Sequence, residues 1–289
     1  MLENGSKECT CPKTKCKRYG NCIECISHHK KSLPRCKRKS KKNKKLKCGI
    51  IIVIICVAAI GSIFLINPIR SSIALKFMKP LETQEIIADI YAIKNQFVNV
   101  YLVKSGDTYI AFDAGLDNET TKTALDNFGI DVDNISVVFL THTDYDHVNA
   151  LSLFSSAKIY MSESNENFLE NKKGQSRSEV FLKMNREYNT LKDGESVTIA
   201  NTQIQCIYTP GHTDGSVSYV VDGKYLFTGD NLNLKNGKVV LYNAVFNMDG
   251  AEQKNSIRKL AGIKGIEYVF TMHTGYTADF NTAFSDWIE

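Results

Sequence analysis

The stretch THTDYDHVNA, residues 141–150, sets His142, Asp144, Asp146 and His147 inside six residues. Imidazole nitrogens and carboxylate oxygens are donors that divalent transition metals accept. A spacing this tight lets one turn aim several of them at a single point. Farther along stand His212 in TPGHT, Asp230 after Gly229, and His273 in TMHTG. Every one of these residues follows an apolar run. A lone histidine is ordinarily a hydrogen-bonded structural residue, but that explanation would have to cover four imidazoles and three carboxylates with one common placement. The chemistry indicated is metal-assisted activation of water. No Ser–His or Cys–His pair offers a convincing nucleophile, and no glycine-rich phosphate loop appears in this part of the chain.

Strands must position these groups. Residues 97–103 (FVNVYLV) and 109–112 are apolar, β-branched runs separated by SGDT, a hairpin signal that ends in Asp113-Ala114-Gly115. Residues 120–128 place Ala124, Leu125 and Phe128 on one helical face, with Asn118 as cap. Residues 137–140 (VVFL) form a short strand ahead of the histidine cluster, and 203–208 a strand leading into TPGHT. Residues 217–221 and 225–228 flank the Asp222-Gly223 turn and lead to Asp230. Asp249 with Glu252 makes a capping pair for a helix to about Leu260, and 266–270 is a last strand before His273. Candidate ligands therefore sit on loops at strand ends, where a rigid sheet can make them converge. Cys206 alternates with Ile204 and Tyr208 and reads as a buried small residue.

THTDYDH, TPGHTDGS, the Gly229-Asp230 pair and TMHTG, in this order, resemble the metallo-β-lactamase-fold hydrolases, and FVNVYLV…YIAFDAG resembles that family's entry hairpin. The resemblance runs from about Glu85 to the C-terminus. It implies an α/β fold, a four-layer αββα sandwich with a two-metal site at the edge between the sheets. It further implies that His142, Asp144 and His212 hold the first metal, that Asp146, His147 and His273 hold the second, and that Asp230 bridges them. The implied reaction is hydrolysis by a metal-bridging hydroxide, with Asp146 as the catalytic residue that orients the nucleophile. Two divalent ions are expected, zinc first, with iron or manganese as alternatives. Tyr145 and Tyr276 are candidates to line the substrate pocket.

Asp144 departs from the family pattern, which usually has histidine there. An aspartate substitutes a hard anionic oxygen for a borderline nitrogen, tilting preference from zinc toward iron or manganese and making bound water a weaker acid. Some relatives with a carboxylate at this place are di-iron oxidoreductases, including flavodiiron proteins. This chain lacks a flavodoxin-like second domain, which keeps hydrolysis ahead. Asp144 turned outward, leaving one metal, stays open.

The first 47 residues are of another kind. They hold sixteen lysines and arginines against three glutamates, whereas the remainder is acidic, so the net charge of +5 conceals a split. Residues 49–66 (GIIIVIICVAAIGSIFLI) carry no charge and span roughly 27 Å as a helix, enough for a bilayer core. The long preceding tail argues against a cleaved signal peptide. The basic run 37–47 places the tail in the cytoplasm and the body outside. The cysteines agree: six lie in the tail, Cys48 and Cys56 in or beside the apolar run, and Cys206 alone beyond it. The expected organisation is a basic Cys-rich tail (1–47), a transmembrane helix (48–67), a juxtamembrane linker (68–84) and a catalytic domain (85–289). Within the tail, Cys11, Cys16, Cys22, Cys25, His28 and Cys36 have spacing that suits an additional zinc knuckle; a redox-responsive unfolded tail is the alternative.

Three functions compete. The first is a membrane-anchored hydrolase of a small ester, lactone, thioester, amide or phosphodiester outside the cytoplasm. The second is a non-catalytic membrane sensor, suggested by the two-compartment layout. The third is a di-iron oxidoreductase, suggested by Asp144. The acidity of the body argues against nucleic acid as a partner; membrane lipid is expected as one, and oligomeric state is left open.

Overall fold

The computed structural model describes residues 11–29, 69–171 and 179–288. The chain divides into two compact units, Met1–Ile66 and Asn67–Glu289. In the first, a short helix α1 (Cys22–His28) carries the CxxC pair, and Asn21 caps it by accepting the Glu24 amide at 3.2 Å. Among the described residues no three tail side chains bring ligand atoms together, and Cys36 lies outside them. The apolar run 49–66 also lies outside the described residues. None of the described helices is long and apolar enough to cross a membrane.

The second unit is built on two sheets. Strands β1 (Gln84–Ile87), β2 (Ile90–Asn95), β3 (Val98–Ser105), β4 (Thr108–Phe112), β5 (Ile135–Phe139), β6 (Lys158–Ser162) and β7 (Asn189–Leu191) lie in sequence order. They are antiparallel up to β4 and parallel from β4 onward. The SGDT hairpin forms as expected, with Ser105 opposite Thr108. Next come β8 (Ser196–Ile199), β9 (Thr202–Tyr208), β10 (Val217–Val221) and β11 (Tyr225–Phe227), then a separate hairpin of β12 (Leu232–Lys235) and β13 (Lys238–Leu241). The strands β14 (Tyr268–Thr271) and β15 (Gly275–Thr277) complete the second sheet, in the order β15-β14-β11-β10-β9-β8. The strand expected to be last is thus followed by another, because the chain turns back after His273.

Three apolar cores separate four layers. On one face of the first sheet, Val100, Leu102 and Val138 meet Ala124 and Leu125 of α2 (Asn118–Phe128), Leu169 of α4 (Glu163–Asn171) and Phe181 of α5 (Glu179–Met184); α3 is the short Tyr145–Val148 turn. Between the sheets, Tyr101, Phe112 and Phe139 meet Tyr219, Phe227 and Phe270. Phe112 stacks on Phe227 with centroids 4.2 Å apart. On the far face, Val220, Leu226 and Val269 meet Ile257 and Leu260 of α6 (Gly250–Ala261) and Phe284 of α7 (Phe280–Phe284). Each of the buried Val, Leu, Ile and Phe side chains contributes about 1.5–3 kcal/mol relative to exposure. The result is an αββα sandwich with mixed sheets.

Polar bonds through the middle core register the two sheets. The Tyr101 hydroxyl donates to the Thr271 carbonyl at 2.7 Å, and that of Tyr219 to the Leu140 carbonyl at 2.9 Å. Both acceptors lie two residues before a candidate ligand, so the phenols tie the strand ends that carry His142 and His273. Two sequence-based details differ. The cap of α2 is Asp117, whose extended backbone lets its carboxylate accept the Thr120 amide; Asn118 is already helical. Within the expected linker, residues 69–75 are helical, Ala74 is buried, and the Lys79 amide donates to the His273 carbonyl at 2.6 Å.

Candidate metal centre

Each candidate ligand leaves a strand end on a constrained loop. The loop after β5 begins at Thr141, whose amide and hydroxyl both donate to the Asp113 carboxylate at 2.8 Å. His142 follows, then Asp144 as the residue preceding α3, with Asp146 and His147 in its single turn. The loop after β9 is clamped where the Asp249 amide donates to the Gly211 carbonyl. A Cβ at Gly211 would lie 2.5 Å from the Gln253 backbone, which explains glycine beside His212. Gly229, at φ +55°, brings Asp230 in close; a Cβ there would lie 2.7 Å from the Thr141 side chain.

The side chains converge. His212 Nε2 lies 3.2 Å from Asp144 Oδ2 and 3.5 Å from Asp230 Oδ2. His142 Nε2 lies 3.8 Å from the same Asp144 oxygen. Asp144 therefore turns inward. His147 Nε2 is 3.5 Å from both Asp146 Oδ2 and Asp230 Oδ1, and His273 Nε2 is 3.5 Å and 3.1 Å from those two oxygens. Ligand atoms of His142, His212 and Asp230 form one group, and those of Asp146, His147 and His273 a second, each spanning no more than 4.8 Å. Asp230 faces both groups.

Outer partners aim the rings. His147 Nδ1 donates to Asp113 Oδ2 at 2.8 Å, and His273 Nδ1 to the Phe97 carbonyl at 2.6 Å. Those acceptors fix the tautomer and leave each Nε2 as a lone-pair donor. Nε2 of His147, Nε2 of His273 and Oδ1 of Asp230 are buried and face one another at 3.1–3.5 Å without well-formed hydrogen-bond geometry. Buried polar atoms left so are costly; a cation among them supplies the missing partner. Nitrogen and carboxylate donors in two adjacent groups fit two divalent ions.

The charges are strongly interdependent. Burial by itself favours neutral forms, but it is outweighed here. The imidazoles of His147 and His273 hold Asp146 below, and Asp230 well below, the usual carboxylate range. In return the carboxylates raise both imidazoles, that of His147 well above its ordinary value. Without metal the pocket is a web of carboxylates and imidazolium groups; with metal those protons must leave.

Of the two candidate pocket residues, Tyr145 is half exposed on α3 between two candidate ligands, and Tyr276 is 38% exposed on β15 with its ring stacked on Phe270, 5.8 Å between centroids. Cys206 is buried, as expected. Two residues went unrecognised in the sequence. Asp113 appeared only as a strand exit, and its role depends on partners 28 and 34 positions away. Tyr242, buried just past β13, sets its ring 5.0 Å from that of His212 and 5.7 Å from that of His273. Burial, then the Asp230 and Asp146 carboxylates, push its phenol well above the usual range, so it stays protonated. No local motif marks it.

The model for the metallo-beta-lactamase superfamily matches residues 93–273. The chain belongs to the metallo-β-lactamase superfamily. Among curated members, a "probable polyketide biosynthesis zinc-dependent hydrolase" of Bacillus subtilis is 34% identical over 101 residues, covering 34% of this chain and 39% of that protein. A "probable metallo-hydrolase" of Methanocaldococcus jannaschii is 28% identical over 151 residues, covering 52% and 63%. The chain thus spans between two-fifths and two-thirds of the length of these relatives. Among solved structures, a metallo-β-lactamase family protein from Thermus thermophilus superimposes with TM-score 0.55 at 19% identity, over 70% of this chain and 79% of that one. A B3 metallo-β-lactamase described as having an active-site glutamic acid gives TM-score 0.56 at 17% identity, over 75% and 90%. At such identity these two establish the superfamily fold.

Proposed function

We propose that this superfamily member is a membrane-anchored, metal-dependent hydrolase. It acts outside the cytoplasm on a small molecule carrying an ester, lactone, thioester, amide or phosphodiester bond. The observation that carries the hydrolase reading is the convergence of buried Nε2 and carboxylate atoms, several without well-formed hydrogen bonds, at one edge of the sandwich. Relatives described as zinc-dependent hydrolases support it. The anchor rests on the uncharged run 49–66 and the basic run before it.

His142, Asp144 and His212 would hold one ion, Asp146, His147 and His273 the other, with Asp230 shared. When bound, the ions polarise the scissile carbonyl or phosphoryl oxygen and lower the pKa of water. Asp146, a carboxylate beside the bound cations, would orient the attacking water. Asp113 and the Phe97 carbonyl hold His147 and His273 in the ligating tautomer. Tyr242 presents a protonated phenol beside Asp230, a neutral donor for an oxygen that gains charge. Zinc is the first choice of metal. The inward Asp144 carboxylate favours iron or manganese as the second, and with iron an oxidoreductase becomes the rival function.

The test is a panel of lactone, thioester and bis-p-nitrophenyl phosphate probes on the metal-loaded chain. Turnover lost in Asp146→Asn supports hydrolysis. A fully metallated protein inert across the panel would point to a sensor, and bound iron with a reducible optical band to redox chemistry.

A further inference from the structure

Residues 69–79 present their apolar side chains the wrong way for a globular protein. Ile69 and Ile73, one helical turn apart, are 58% and 50% exposed, while Ala74 is the residue buried against the body. Two further turns, closed by Phe77 N to Ala74 O and Met78 N to Leu75 O, carry Phe77 out to 70% exposure. A helix that only packs on a core points such residues inward, and an apolar stripe turned outward marks an interaction surface. Exposed cations flank it. Arg70, Lys76 and Lys79 lie on the segment, and Lys235 joins Phe77, Lys79 and Leu234 around a groove of about 500 Å³. Among the described residues none of these four cations pairs with a carboxylate. In the sequence, the uncharged run 49–66 ends three positions before Ile69.

We propose that residues 69–79, together with Lys235, form a docking face that rests on a bilayer surface, with Ile69, Ile73 and Phe77 entering the acyl boundary and the four cations meeting anionic phospholipid headgroups. Apolar residues bordered by Lys and Arg are the composition of interfacial helices, and long basic side chains reach from the apolar boundary to the headgroups. The apolar run that ends three positions earlier in the sequence identifies lipid as the occupant, and this inference rests on the anchored reading given above. Because the Lys79 amide donates to the His273 carbonyl, the docked face and the metal pocket are mechanically joined.

Residues 67–289 contain all three cores in one compact unit, so the body can be tested without its anchor. Sedimentation with phosphatidylcholine vesicles containing phosphatidylglycerol should pellet the body. The pelleted fraction should fall with added salt, and the vesicle affinity should drop about tenfold or more in Ile73→Ser/Phe77→Ser. Equal pelleting of the two proteins, or none of either, overturns the proposal. So does a dimer in sedimentation velocity that the double variant abolishes, since a second copy would then be the occupant. In full-length protein reconstituted into the same vesicles, Phe77→Trp in a Trp287→Phe background should be quenched by lipids brominated near the headgroup. An unquenched Trp at position 77 in protein that floats with the vesicles overturns it as well. Flotation of the full chain after an alkaline carbonate wash reads the anchor separately, so loss of the anchor and loss of the docking face are distinguishable.

Discussion

Asp113→Asn isolates the outer support of the metal site. The wild-type carboxylate is fully buried and accepts three hydrogen bonds of 2.8 Å, from the Thr141 amide, the Thr141 hydroxyl and His147 Nδ1. Its φ of +60° is one that asparagine tolerates, so backbone strain is not introduced. An amide, however, cannot satisfy this arrangement in either orientation. With its nitrogen toward His147, donor faces donor, and the imidazole must move its proton to Nε2, the nitrogen meant for metal. With its nitrogen toward Thr141, the clash is with the backbone amide. Outer-shell substitutions of this kind lower metal affinity by about 10–100-fold, or about 1.4–2.7 kcal/mol. Losing a charge-assisted bond costs about 1.5–3 kcal/mol of stability. For a domain of this size, a loss near the middle of that range lowers Tm by roughly 4–8 °C. Metal titration against a chelator series, followed by elemental analysis and a thermal melt, measures both. Affinity within twofold of wild type for each ion, with an unchanged Tm, would refute the assignment of Asp113 as the group that orients His147.

Three other outcomes follow from the same geometry. Tyr242→Phe should retain metal but lose about tenfold in kcat/KM, the worth of one neutral hydrogen bond; unchanged kinetics in a metallated variant would remove the phenol from the mechanism. Cys206 is buried with its thiol pushed up to about 12, leaving a thiolate fraction of about 10⁻⁵ to 10⁻⁴ between pH 7 and 8. Maleimide labelling read by peptide mass should therefore mark the tail cysteines and miss Cys206 until the body unfolds. The raised imidazoles of His147 and His273 stabilise the metal-free fold below their unfolded value of about 6.5, and that contribution disappears as pH rises through the higher folded values. The depressed Asp146 and Asp230 contribute above the ordinary carboxylate range and lose their effect as pH falls through their lowered values. The melting temperature in chelator should thus decline above about pH 6.5, while metal affinity climbs over the same interval because fewer protons compete. Parallel trends would contradict this.

The ligands were legible because their signal is local. His142 to His147 fall within six consecutive residues, and His212, Asp230 and His273 each follow a short apolar strand whose pattern survives in the sequence. The supports were not, because they act across distance. Asp113 meets His147 from 34 positions upstream, and Phe97 meets His273 from 176 positions away through a carbonyl that any residue could supply. Strands of mixed polarity such as β6 (KIYMS) and β8 (SVTI) carry no apolar run long enough to mark them, and β8 has no fully buried residue. The runs β3 and β5, nearly all buried, are legible because a sheet covered on both sides needs nearly continuous apolar residues. In 69–79 the sequence suggested a passive linker; only the placement of Ala74 against the body makes Ile69 and Ile73 point outward.

The most direct test of the metal centre is a count of ions per chain. Wild-type protein equilibrated with zinc and freed of loosely held metal should retain two ions by elemental analysis, and His212→Ala and His273→Ala should each retain one or none. Zero or one ion in correctly folded wild type, or two in either variant, would contradict a paired site built from these residues.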